Sequence, residues 1–288
     1  MRGLHFSNEM TYQEAERMAS SFLEKIKENP QEARWLILAR KAWTLTDWMT
    51  HQMEQMPQKE RAQLASDLAR KAKGEPLQYI LGEAEFLNQH YLVTAQTLIP
   101  RPETEAWVGD TLKILSSITK SLDVLDIGTG SGVIGISHKL ARPQDTVVAT
   151  DISQEALAIA QKNARCLKAD VEFYCGDLFE PVAGRTFDII YSNPPYIGKG
   201  EITEMTANVI QFEPHEALFA AEEGYAIYRQ IAERFLYYLN PGGQLYLEIG
   251  YQQAERVAHF IKNQGENLAL KVLKDYAGHD RVIHVQML

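Results

Sequence analysis

From residue 121 onward the chain alternates short apolar runs with amphipathic stretches, and that alternation leaves few folds open. "LDVLDI" reads as a strand and "GVIGISHKLA" as a helix, then "TVVATDI" as a strand and "SQEALAIAQKNARCL" as a helix. "VEFYC" and "FDIIYS" predict two more strands. A helix covers about 224–239, "NPGG" turns into the strand "QLYLEIG", and a helix lies near 251–263. "LKVLKD" and "RVIHVQM" predict the last strands. Strands separated by helices predict an α/β fold, a Rossmann-like, mostly parallel, seven-stranded sheet covered on both faces.

The chain before this point has a different character. "TYQEAERMASSFLEKI", "ARWLILARKAW" and "KERAQLASDLARKAKG" place apolar residues at 3- and 4-residue spacing, the last ending at Gly74. This pattern predicts a small helical bundle over 1–74. "EPLQYILGEAEFLNQHYLVTAQTLIP" has β-prone runs and a turn-like "LNQH", which predicts a β-hairpin linker over 75–100. "RPETEAWVGDTLKIL" opens the main domain, 101–288, with a helix: Pro102 suits its first turn, and Glu103 and Glu105 suit its positive dipole end.

Composition limits the partners. The formal net charge is −9, and it is uneven. Residues 1–76 hold 12 Lys/Arg and 11 Asp/Glu, whereas the remainder holds 17 and 27, or −10. A protein that grips nucleic acid through many phosphates usually carries a basic surface, so no direct nucleic-acid binding is expected. Two cysteines, Cys166 and Cys175, provide no disulfide framework and point to a reducing compartment. No window approaches the ~18 apolar residues of a membrane span, and the N-terminus has no signal-type apolar run, so a cytoplasmic protein with no membrane partner is expected. The histidines show no metal-ligand spacing, and no metal is expected.

The first predicted strand ends at Asp126-Ile127, and Gly128-Thr129-Gly130-Ser131-Gly132 follows and opens a helix. Glycines let a ligand approach the backbone closely, and the helix start offers free N–H groups. Asp151 ends the second strand, where a carboxylate can accept both hydroxyls of a ribose. These features predict an adenosine-type nucleotide without choosing one. Gly130-x-Gly132-x-x-Gly135 with Asp151 about 20 residues on also matches the dinucleotide fingerprint. A methyl donor is favoured by the tight turn at Gly128, and by Asp177 in "GDLFEP", placed to accept from an adenine amino group with Leu178 against the ring.

"FDIIYSNPPYIG" favours it further. A buried strand runs into Asn193, Pro194, Pro195 and Tyr196, and the prolines have no N–H with which to continue it. At a strand's carboxyl end, the Asn193 side-chain oxygen and the Pro194 carbonyl offer two acceptors to a planar NH2 group, and Tyr196 offers a flat face. Methylating an amide or exocyclic amine needs that arrangement. Two acceptors holding both N–H bonds orient the nitrogen and stabilise the charge that builds on it.

"LDIGTGSG", "TDIS", "GDLFEP" and "SNPPYI" together resemble class I S-adenosylmethionine-dependent methyltransferases acting on amino or amide nitrogen. "GEPLQYILGEAEF", "LIPRPETE", "FEPHEALFA" and "LEIGYQQAERV" narrow the resemblance to the release factor glutamine methyltransferases, from about residue 74 to the end. The resemblance implies transfer of a methyl group from S-adenosyl-L-methionine to the side-chain amide nitrogen (N5) of the Gln in the Gly-Gly-Gln motif of bacterial peptide chain release factors, recognised with help from the helical domain. It implies that Gly128, Thr129, Gly130, Ser131, Gly132, Asp151, Asp177, Leu178 and Asn193 contact the donor. Asn193, Pro194, Pro195 and Tyr196 would hold the substrate, with Asn193, Pro194 and Tyr196 carrying the chemistry. Phe86, Arg101 and Glu103 would lie beside the cofactor. One departure is "ALFAAEEGYAIY", where the family has a Gly-Gly-Asp-Gly-like run and this chain has Ala220 and Ala221.

Other readings share parts of this pattern. The Gln of a ribosomal protein would need the same chemistry, but that sister family carries a different segment where "PRPETE" stands here. A nucleic-acid base could present its NH2 to Asn193 and stack on Tyr196, against the −10 balance of the main domain. A binding module on an inactive fold would not need every polar element of the site.

Overall fold

The computed structural model describes Phe6 and residues 9–288; residues 1–5 and 7–8, which belong to the expected helical segment 1–74, lie outside the described residues. The chain divides into two compact units between Gly82 and Glu83.

The first unit contains helices α1 (Tyr12–Lys25), α2 (Glu32–Lys41), α3 (Leu45–His51), α4 (Gln58–Lys71) and α5 (Leu77–Leu81). Thr11 begins α1 in a capping box, its side chain accepting from the Glu14 N–H while the Glu14 carboxylate takes the Thr11 N–H. The apolar stripes of these helices meet in one core that includes Ala15, Ala19, Leu23, Leu36, Leu64 and Leu68. Buried Asp67 accepts from both Nε and Nη2 of Arg40 at 3.0 Å. Residues 77–81, expected to begin the hairpin, are instead helical and end at Gly82 with a φ of 84°. Leu77, Ile80 and Leu81 pack on the helical core, and that burial outweighs their strand propensity.

The second unit begins with a hairpin of β1 (Glu83–Phe86) and β2 (Gln89–Leu92), followed by α6 (Pro102–Leu115). Then come β3 (Asp123–Ile127), α7 (Val133–Ala141), β4 (Thr146–Asp151), α8 (Gln154–Leu167), β5 (Val171–Cys175) and β6 (Phe187–Ser192). Short helices α9 (Ala207–Phe212) and α10 (His215–Leu218) precede α11 (Ala226–Arg234), β7 (Leu239–Glu248), α12 (Ala254–Lys262), β8 (Leu268–Lys274) and β9 (Asp280–Met287).

The strands form one seven-stranded sheet in the order β5-β4-β3-β6-β7-β9-β8, with β9 antiparallel to both neighbours and the other pairs parallel. Side chains alternate between its faces. Leu125, Ile127, Ile190 and Leu247 join one core, while Val124, Ile189, Tyr191 and Tyr246 join the other. Two details differ from the sequence reading. The expected helix over 224–239 is helical from Ala226 and ends in a 3-10 turn at Tyr238. The strand β7 starts at Leu239, ahead of the expected "NPGG" turn, because Leu239 already pairs with Phe187. A register shift then absorbs residues 240–243 before Gln244 pairs with Ile189.

Candidate active site

Strand register assembles the site. Ile127 pairs with Thr150 on one side and Ser192 on the other, and Ser192 pairs with Leu247. Asp151 pairs with Cys175. The carboxyl edge of the sheet therefore presents, in spatial order, the Asp177 loop, Asp151, the Gly128–Gly132 loop, Asn193 and Glu248. The chain reverses its direction of travel across the sheet between β3 and β6, the switch point where such sheets hold ligands.

The glycine loop is built from within. Gly128, Gly130 and Gly132 have φ of 68°, 58° and 87°, the left-handed region that favours glycine. The N–H groups of Gly128 and Thr129 both donate to the Thr150 carbonyl, at 2.9 and 3.0 Å. Fully buried Asp126 accepts from the Thr129 hydroxyl at 2.6 Å and the Gly135 N–H at 3.0 Å. Burial pushes its carboxyl up to about 6 against the pull of those two donors. The glycines serve two purposes. A Cβ on Gly132 would stand 2.6 Å from Ile136 Cδ1, so this position is needed for helix packing. A Cβ on Gly128 or Gly130 would meet nothing within 4 Å, so the loop's outer face is open backbone.

Asp151 closes one side of that face. Its Oδ2 accepts the Gly130 N–H at 2.8 Å and its Oδ1 accepts the Ser153 N–H at 2.9 Å. Burial raises its carboxyl, while these backbone donors hold it down. A carboxylate has about four acceptor positions, so capacity for a ligand's hydroxyls remains. Asp177 and Leu178 lie on the loop after β5, both half-buried, and the Leu178 carbonyl accepts from the Thr150 hydroxyl at 3.2 Å. Leu178 sits at a φ of 46°, an uncommon conformation for a residue with a Cβ.

Asn193 leaves β6 half-buried, and its Nδ2 donates to Thr104 Oγ1 at 3.2 Å. The Thr104 hydroxyl donates to Glu248 Oε2 at 2.7 Å, and Trp107 Nε1 donates to the same oxygen at 2.7 Å. Burial raises the Glu248 carboxyl, and the Trp107 and Thr104 bonds pull it back. Pro194 is buried; Pro195 and Tyr196 are half-buried.

The Asn193–Gly198 turn is clamped from several directions. Gln253 Nε2 donates to the Tyr196 carbonyl at 2.9 Å, and Gln253 Oε1 accepts the Gly250 N–H at 3.0 Å. Ile197 pairs with the segment 218–220 through N–H to Leu218 O and O to Ala220 N–H, each 3.0 Å. Gly224, at a φ of 89°, packs so closely that a Cβ there would stand 2.1 Å from the Tyr196 carbonyl oxygen. The run that departs from the family pattern lies here, and its backbone is left-handed at Glu222 and Glu223, with φ of 55° and 57°. Glutamates thus occupy a conformation suited to Gly, Asn or Asp.

The residues expected beside the cofactor are placed as follows. Phe86 is in the core with Tyr91, Trp107, Val133 and Ile134, the last two following the glycine loop. Arg101 precedes α6, and its Nη2 donates to both oxygens of buried Glu213 at 2.6 and 2.7 Å. Glu103 is exposed in the first turn of α6, one residue before Thr104.

Sequence reasoning placed Thr104 only within the segment 101–105 near the cofactor, with no role of its own, and assigned no role to Trp107, Glu248, Gln253, Glu213 or Gly224. One signal was available: Glu248 interrupts the apolar run of "QLYLEIG", and a carboxylate in a buried strand must have donors nearby.

Among the described residues, no group of three or more His, Cys, Asp or Glu could hold a metal ion. No helix among them is long and apolar enough to cross a membrane.

The PrmC N-terminal domain family matches residues 14–82 and the methyltransferase small domain family matches residues 110–220. A release factor glutamine methyltransferase from Enterococcus faecalis is 42% identical over 271 residues, covering 94% of this chain and 97% of that protein. One from Staphylococcus aureus is 38% identical over 253 residues, covering 87% and 90%. The solved structure of a release factor-specific protein-(glutamine-N5) methyltransferase from Alicyclobacillus acidocaldarius has 30% identity and a TM-score of 0.42, covering 65% of this chain and 93% of that one. With a relative at 42% identity along nearly its whole length, this chain belongs to the release factor glutamine methyltransferase family.

Proposed function

We propose that the chain transfers the methyl group of S-adenosylmethionine to the side-chain amide nitrogen of the Gly-Gly-Gln glutamine in a bacterial release factor. The observation that carries this reading is the pairing of Ile127 with Ser192, which brings the open glycine loop and Asn193 out side by side. The residues present fit the donor: the outer face of Gly128 and Gly130 is free of side chains, and Asp151 keeps acceptor capacity beside it. When bound, the donor supplies an electrophilic methyl carbon on a sulfonium.

The chain's own residues then do the following. The Asn193 amide oxygen and the Pro194 carbonyl accept the two N–H bonds of the substrate amide, which orients the nitrogen and weakens its conjugation. Charge building on that nitrogen is stabilised by the same oxygens. The nitrogen gains the methyl carbon as the carbon–sulfur bond breaks, and its surplus proton leaves to water. Asp177 and Leu178 would hold the adenine, and Tyr196 would pack the substrate amide. The helical unit, which matches the PrmC N-terminal domain, is assigned to the protein partner. A translation factor as substrate implies a cytoplasmic reaction, and the −10 balance of residues 77–288 argues against direct nucleic-acid binding.

The test uses a methyl-labelled donor with an intact release factor, the same factor with its loop Gln replaced by Ala, a ribosomal protein preparation, and DNA or RNA. Label is expected in the intact factor and absent from the Gln-replaced one. Label in the ribosomal protein or nucleic acid instead would overturn the proposal.

A further inference from the structure

An asparagine side chain can present either its oxygen or its NH2 to a substrate, because the two ends of the amide have nearly the same shape. Holding a substrate N–H requires the oxygen. In this chain the choice is made by residues far away in sequence. The Trp107 indole N–H is a donor only, so Glu248 Oε2, which receives it at 2.7 Å, must act as an acceptor. The Thr104 hydroxyl shares that oxygen at 2.7 Å and, with the carboxylate ionised, donates its one proton there. Its lone pairs are what remain for Asn193. An amide oxygen against those lone pairs would be repelled, whereas Nδ2–H at 3.2 Å is satisfied. Among the described residues this is the one hydrogen bond of the Asn193 side chain. Thr104, Trp107 and Glu248 are all buried, 3%, 7% and 2% exposed, so water cannot substitute for a missing member.

We propose that Thr104, anchored by Glu248 and Trp107, is a positioning residue that locks the Asn193 amide with Nδ2 inward and Oδ1 available to the substrate N–H. This rests on the glutamine reading above. It deepens that reading by naming what makes Asn193 an acceptor. Thr104 does not touch the reacting atoms; it acts by removing the unproductive rotamer.

Thr104→Val keeps shape and removes the hydroxyl, and Thr104→Ser keeps the hydroxyl and removes the methyl. The measurements are steady-state methyl transfer to an intact release factor, donor affinity by calorimetry, and the thermal midpoint. Thr104→Val is expected to lower kcat by about 10–100-fold, as for a buried hydrogen-bond donor left without its acceptor, with donor Kd changed by less than about threefold. Thr104→Ser is expected to recover kcat to within about threefold of wild type, since it restores the hydrogen bond. Thr104→Ala removes the same hydroxyl and replaces the Val variant if the latter does not fold. A hydroxyl-free variant with wild-type kcat, or a Ser variant as impaired as Val, overturns the proposal. Wild-type enzyme that transfers no methyl to the factor overturns the glutamine reading and this inference with it, a result separable from an active wild type with an unimpaired Val variant.

Discussion

The two halves of the sheet's carboxyl edge are assembled in opposite ways. On the β3–β4 side, the glycine loop is held from within about 30 residues: Thr129 and Gly135 bond to Asp126, Gly130 bonds to Asp151, 21 residues on, and Asn163, 32 residues from Ser131, donates to its carbonyl. On the β6–β7 side, the turn after Asn193 is held by residues from elsewhere in the chain. Thr104 is 89 positions from Asn193 and 144 from Glu248, and Gln253 is 57 from Tyr196. A locally closed loop keeps its shape under small changes and offers its outer face to a ligand. A turn braced by distant groups depends on the packing of the whole unit.

The largest effect that separates the halves is expected at Gly224. Alanine there would meet the Tyr196 carbonyl at 2.1 Å and sit at a φ of 89°. Loss of about 3 kcal/mol or more of stability is expected in urea unfolding, together with loss of methyl transfer. Retention of activity would show that the turn is not braced from this side.

A second effect, of similar size, belongs to the locally built half. Asp126 has its carboxyl raised to about 6 by burial, against about 4 in an unfolded chain. The folded state binds this proton more tightly, so the associated stability is complete below about pH 4 and is lost as pH rises through about 6. The full span is on the order of 3 kcal/mol. Asp126→Asn, neutral throughout, is expected to become more stable relative to wild type as pH rises from 4 to 7 in urea titrations. Glu248, whose carboxyl is also raised, is common to both proteins and cancels in the difference, whereas Asp151 repels the Asp126 charge and its coupling is part of the gap. A gap that does not change with pH would contradict the assignment.

Smaller effects follow. Gly130→Ala is expected to cost about 1 kcal/mol of stability, from its φ of 58° alone. Its methyl would project from the open face of the loop, so donor affinity in calorimetry is expected to fall by about tenfold or more. Unchanged affinity would mean that the donor does not lie against Gly130. The smallest effect is a gain: Glu223→Gly relieves a left-handed glutamate whose side chain is 85% exposed, for an expected increase of about 0.5–1 kcal/mol.

The same contrast explains what could be read from sequence. The alternation of strands and helices predicted the sheet because each buried strand carries its own apolar signature. The positions of Gly128–Gly132, Asp151 and Asn193 on the carboxyl edge were legible because each ends a strand or follows one within a few residues, and strand ends define the ligand edge. The contacts of Thr104, Glu248 and Gln253 were not, because their partners come together only through tertiary packing. Residues 77–81 failed for a related reason: β-prone side chains became a helical turn once Ile80 found a place in the helical core.

Whether Asn193 drives methyl transfer to glutamine is decided by fragment mass spectrometry of the Gly-Gly-Gln peptide from a release factor incubated with donor and either wild type or Asn193→Ala. One methyl is expected on the glutamine side chain with wild type, appearing at least about 100-fold more slowly with the variant. Methyl on any other residue, or an equal rate with Asn193→Ala, would contradict this role.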